Sequence, residues 1–285
     1  RKGCGAMVRF LKRSYIYLVF AFLYMPIAVL MVYSFNDSRS RGVWGGFTLR
    51  WYVELFQDRT IMSSLYSTLF IGITSAIIAT IIGTLAAIGI HNSRGIQKKL
   101  IMNVTYLPVL NPEIVTAISL MILFVFARVR LGYLTLLLAH ITFNIPYVIL
   151  SVLPKLRQLN KHLYEAALDL GSTPAQALWK VIIPEIMPGI ITGLLLAFTL
   201  SIDDFVISFF TTGSGVNTLS ITIYSMARRG INPKINALST IMFTFVLLLL
   251  IVVNVRQARE EKKERNGKHG SKKQVSPFGA KFGGA

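Results

Sequence analysis

The chain has 285 residues, of which 53% are apolar and only 15% charged, with a mean hydropathy of +0.59; this excludes an ordinary soluble globular domain. A net charge of +18 would suit a nucleic-acid binder, but about 14 of the 30 Lys and Arg residues sit in the two terminal tails. Membrane proteins gather such charge on their cytoplasmic side, so the partner implied is a lipid bilayer and not nucleic acid. The single cysteine, Cys4, excludes an intrachain disulfide and a cysteine-built metal site.

Six segments are apolar over the length of about 20 residues that a bilayer requires: 15–35, 62–90, 100–126, 131–153, 186–209 and 238–255. The fold class expected is an all-α integral membrane protein with six transmembrane helices. It divides into a basic N-tail (1–14), a six-span domain (15–255) and a basic C-tail (256–285) without apolar periodicity, read as a disordered segment near anionic lipid. No small-x-small cleavage site follows the basic start, so segment 15–35 reads as a membrane helix and not as a cleaved signal peptide. The loop after it carries Trp44, Trp51 and Tyr52, which suit a membrane interface. In the second span Gly72, Ala76, Thr80, Gly83 and Ala87 form a small-residue stripe that lets helices approach closely in lipid.

The third span contains Asn111-Pro112-Glu113 and the fifth contains Asp203-Asp204, the only acids within spans. A carboxylate at that depth costs about 2.5–3.5 kcal/mol on insertion scales. It must therefore face a cavity, pair with a cation or be protonated. No Lys or Arg lies inside a span to pair with these acids, which is the pattern of a pathway for a cationic solute. Pairing with a second subunit, or capping of a broken helix, is the alternative. Phe143 and Tyr147 in the fourth span, and Phe205, Phe209 and Phe210 beside the aspartates, offer cation–π surfaces or simple packing. His140, alone on an apolar span, reads as a hydrogen-bonding core residue. Prolines 26, 108, 112, 146, 184 and 188 lie in or beside spans, where broken helices are tolerated along a cavity.

Between the fourth and fifth spans a polar loop, 154–185, interrupts the apolar pattern. Glu165-Ala166-Ala167 favour helix, Gly171 permits a sharp turn, and Thr173-Pro174 starts a second short helix. Pro184 and Pro188 are expected to end that second helix. With the N-terminus inside, the cytoplasmic pieces carry 21 Lys and Arg residues and the outer pieces 9, which places both termini and this loop in the cytoplasm.

Glu165-Ala166-Ala167, Gly171 and then Val181, Ile183 and Pro184 resemble the coupling-loop motif of ABC importer permeases, with two aliphatic-for-aliphatic departures. The implied core is that of a type I ABC importer permease with a cytoplasmic coupling-helix loop. Further stretches narrow the likeness: 33–36, 111–115, 140–143, 201–206, 223–226 and 236–237. They resemble permeases of spermidine/putrescine (polyamine) importers of the PotC type. This resemblance implies a subunit in a bacterial inner membrane, assembled with a second homologous permease, two ATPase subunits and an extracytoplasmic polyamine-binding protein. Glu165, Ala166, Ala167, Gly171 and Pro184 would form the coupling site. Glu113, Asp203, Asp204, Phe143 and Tyr147 would line the substrate path. The chain has no G-x-x-x-x-G-K-[ST] loop. It is therefore expected to be no enzyme and to hold no cofactor, with ATP and Mg bound by the partner ATPase. A permease for another substrate, or a secondary transporter using Glu113 and His140 as a proton relay, are the alternative readings.

Overall fold

The computed structural model describes residues 2–38, 43–160, 162–229, 233–248, 250–251 and 254–255. Among these the chain is helical, and the sole strand-like feature is an antiparallel bridge between Asn36 and Phe47. In chain order the helices are α1 (Lys2–Tyr33), α2 (Arg50–Gln57), α3 (Arg59–Asn92), α4 (Gly95–Leu110), α5 (Glu113–Phe126), α6 (Tyr133–Gln158), α7 (His162–Asp169), α8 (Pro174–Ala177), a π turn (Leu178–Ile182), α9 (Ile183–Asp203), α10 (Val206–Thr211), α11 (Leu219–Arg229) and α12 (Pro233–Leu248). The C-tail expected from 256 onward lies outside the described residues.

Four helical stretches are long and apolar enough to cross a membrane: Ser14–Tyr33, Arg59–Asn92, Tyr133–Gln158 and Pro174–Asp203. The expected third span, 100–126, is not one straight helix. It is α4 and α5 joined at a bend of 107°. Pro112 supplies no N–H and pushes Asn111 out of the helical region, to ψ 147°. The sixth expected span overlaps α12, whose 16 residues fall short of a full crossing within the described part.

The centre of the bundle is α3, α6 and α9. Ala76, Ala87 and Ile90 of α3 meet Val148, Val152 and Leu156 of α6 and Ile186 and Ala197 of α9, all buried. Contact is close because α3 presents its small residues inward. A Cβ on Gly83 would stand 2.8 Å from the Val148 Cβ, so glycine sets the α3–α6 separation. In the loop between α1 and α2 Asn36 accepts from Ser38 and Gly45 N–H groups through Oδ1 and donates to the Val43 carbonyl through Nδ2. The Trp51 indole donates to the Asn36 carbonyl at 2.8 Å. Trp51 is therefore a buried anchor of α2, while Trp44 stays exposed as an interface residue would.

The fifth span also departs from expectation at both ends. Pro184 does not stop the preceding helix: the chain stays helical from Pro174 to Asp203. The π turn absorbs the proline, since the Ile183 N–H reaches back five residues to the Leu178 carbonyl and the hydrogen-bond register shifts before Pro184 is met. At the other end α9 stops at Asp203, and α10 begins only at Val206. Pro146 and Pro154 lie within α6 and leave it unbroken.

Candidate functional site

The break between α9 and α10 separates the two aspartates. Asp203 is the last residue of α9 and is exposed. Among the described residues its carboxylate makes no ion pair. Asp204 adopts an extended conformation (φ −66°, ψ 127°) and is 8% exposed. Its Oδ1 accepts from the Ile207 N–H at 3.1 Å and its Oδ2 from the Ser208 N–H at 2.7 Å, so it caps the start of α10. The Ser220 hydroxyl donates to the Asp204 carbonyl at 2.6 Å, tying in α11. His140 Nε2 of α6 lies 3.1 Å from Ser208 Oγ and 3.6 Å from Asp204 Oδ2. The histidine is thus the hydrogen-bonding core residue read from its setting, and its partners are these two groups. Beside the break the Phe205 ring lies 4.7 Å from that of Tyr224 and 5.4 Å from that of Phe209.

Glu113 opens α5 immediately after the bend and is exposed. Tyr147 of α6 is half-buried. The Phe143 ring is 5.2 Å from that of Tyr147 but is 2% exposed, enclosed by Ala117, Phe124, Ala139 and Ile207. Its surroundings are those of a packing residue. Glu113 and Asp203 are not joined by any hydrogen bond among the described residues; α5 packs on α10, the helix that follows the break after Asp203.

The motif from Glu165 to Pro174 folds as α7, a tight turn and α8. Glu165 lies on α7 with its side chain exposed and within 3.2 Å of His162 Nδ1. Ala166 is exposed and Ala167 buried, so α7 packs one alanine inward and shows the other. Gly171 turns the chain with φ +84°. Thr173 and Gln176 form a reciprocal capping box at α8, Gln176 N–H donating to Thr173 Oγ1 and Thr173 N–H to Gln176 Oε1. Leu170 and Trp179 are also left exposed. On the other face Arg50 Nε donates to Glu54 Oε1 at 2.6 Å, which holds the Glu54 carboxyl below the usual carboxylate range. Among the described residues no group of three His, Cys, Asp or Glu side chains is placed to hold a metal.

The sequence kept both uses of the aspartates open but did not expose the seam that runs beside them. Asn144 Nδ2 donates to Ser201 Oγ at 2.7 Å, and Ser201 Oγ meets Ser75 Oγ at 3.1 Å. These partners lie 57 and 126 residues apart in the chain, and no local pattern links them. One local signal did exist for Asp204, an aspartate shortly ahead of two N–H groups that open a new helix.

A helical bundle with a broken span, a helix-turn-helix knob and unpaired acids within its spans is the architecture of a membrane permease. The chain belongs to the family of binding-protein-dependent transport system inner membrane components, which it matches over residues 79–265. It is therefore a multi-pass transport subunit, not an enzyme. Over 259 residues it is 38% identical to the spermidine/putrescine transport system permease protein PotC of Shigella flexneri, covering 91% of this chain and 97% of that one. Over 252 residues it is 40% identical to the putrescine transport system permease protein PotI of Escherichia coli (strain K12), covering 85% and 89%. Among solved structures, a bacterial ABC transporter involved in the import of the acidic polysaccharide alginate shares the fold. Its TM-score is 0.66 at 18% identity, over 89% of this chain and 95% of that one.

Proposed function

We propose that this chain is one of two permease halves of an ATP-driven importer of polyamines, and that Glu113 and Asp203 attract the polycation along the path. The observation that carries the reading is Asp203. A free carboxylate at the C-terminal end of α9 adds to the negative end of the helix dipole, an arrangement unfavourable for an anion and favourable for a cation. The names of the relatives, which concern spermidine and putrescine, agree with this. The fold does not select the substrate, since the alginate importer with the same fold handles an acidic polymer. Asp204 contributes through the α10 cap, Tyr147 and the Phe205 ring flank the two acids, and the Phe143 ring packs against Tyr147.

The proposed partners are a second homologous permease, two ATPase subunits that bind ATP and Mg, and an extracytoplasmic polyamine-binding protein. The coupling site is Glu165, Ala166, Ala167 and Gly171, with Pro184 behind it, in a bacterial inner membrane with both termini in the cytoplasm. A proton relay through Glu113 and His140 finds less support, because His140 is engaged with Ser208 and Asp204.

The test is uptake of labelled spermidine, dependent on ATP and binding protein, by liposomes holding this chain with its co-purified partners. Glu113→Gln and Asp203→Asn are expected to lose about tenfold or more of uptake with assembly intact, on the scale of a lost charge-assisted contact. Wild-type uptake untouched by either substitution removes both acids from the path. Absence of spermidine uptake in an ATP-hydrolysing complex removes polyamines as the substrate.

A further inference from the structure

The corner at which α9 ends is held on both sides by one helix. His140 and Asn144 are one turn apart on α6 and so share a face. Asn144 grips α9 just before the corner, through Ser201, two residues ahead of Asp203. His140 grips α10 just after it, through Ser208 and the Asp204 carboxylate. His140 is 1% exposed, and its Nδ1 has no hydrogen-bond partner. A carboxylate only accepts hydrogen bonds, so the tautomer that fits this setting carries its proton on Nε2. Nδ1 is then a bare acceptor, which is cheaper to bury unpaired than an N–H would be.

We infer that His140 is a positioning residue for Asp203: from α6, together with Asn144, it clamps the α9–α10 corner and so fixes where the free carboxylate is presented. The inference rests on the reading of Asp203 as the cation-attracting group. Without the clamp, the Asp204 cap loses its support from α6, and the last turn of α9 is free to fray and carry Asp203 with it.

Two measurements on the assembled complex test this. The first is backbone amide exchange over 204–211 in lipid nanodiscs, comparing wild type, His140→Leu and His140→Gln. His140→Leu is expected to speed exchange there about tenfold while α3 stays protected, and His140→Gln, which keeps a side-chain N–H donor, to restore most of the protection. The second is spermidine taken up per ATP hydrolysed in the cycle of His140→Leu with Asp203→Asn. Each single variant is expected to lose about tenfold and the pair no more than either alone, because both act at one carboxylate. Unchanged exchange in His140→Leu, or losses that multiply in the pair, overturns the inference. If the wild-type complex takes up no polyamine, the substrate reading fails while the exchange data still decide the clamp. If His140→Leu does not assemble, Ser208→Ala removes one Nε2 partner at little cost in volume and is judged by the same outcomes.

Discussion

At the end of α9 the negative end of the helix meets the Asp203 carboxylate; one residue further the Asp204 carboxylate meets the N–H groups that open α10. Substitutions at the two positions should therefore part company. Asp204→Ala strands two buried N–H groups and is expected to cost about 1–3 kcal/mol, read as a lower Tm of the purified complex. Asp203→Asn is expected to leave Tm unchanged and to lower uptake alone. At Gly83 a larger side chain must force α3 away from Val148 and from the Ile145 carbonyl, 3.2 Å from the added Cβ. Gly83→Leu is expected to cost about 1–3 kcal/mol or to prevent assembly, as judged by Tm and gel filtration. The small-residue stripe was legible in the sequence because its spacing is local and periodic. The different environments of Asp203 and Asp204 were not, because they depend on where α9 happens to end and on what α6 places opposite.

Among the elements, the loop that carries Glu165 to Pro174 was the most legible. Gly171, Thr173 and Pro174 each dictate backbone geometry by themselves, and α7, the turn and α8 follow from them. Gly171→Val places a β-branched residue at φ +84°, where strain of about 1–3 kcal/mol is expected. The angle between α7 and α8 should change to relieve it. ATP hydrolysed per molecule transported should then rise, measured in the same liposomes, even where the complex still assembles. The π turn was not legible: proline predicts a stop, and only a register shift in the preceding turn shows how a helix continues past it. The 107° bend was half legible, since Pro112 marks its place but carries no information about its size.

At the scale of the whole chain, α1 contributes a membrane span none of which is buried against the rest of the molecule. The compact part is α3, α6 and α9, and Lys234 of α12 ties that helix to α2 and the start of α3, its Nζ lying 3.6 Å from Glu54 and 3.5 Å from Asp58. Hydropathy located the spans because a bilayer sets a length scale, and among the described residues four helices meet it, or five if the bent pair α4 and α5 is one span. Which of them would break was a matter of packing between distant segments. On the proposed assembly, Glu165→Lys reverses the charge of an exposed side chain on the coupling knob. It is expected to leave the complex able to hydrolyse ATP while uptake falls at least tenfold, measured side by side on one preparation.

Because the π turn keeps the chain helical, Pro174 and Asp203 are the two ends of a single rod of 30 residues, about 45 Å long. A push delivered at the knob therefore travels to the acid without crossing a loop. In the proposed importer the arrival of fuel on one side of the membrane and the grip on cargo near the other would be two readings of one displacement, and their timing would be set by the stiffness of that rod.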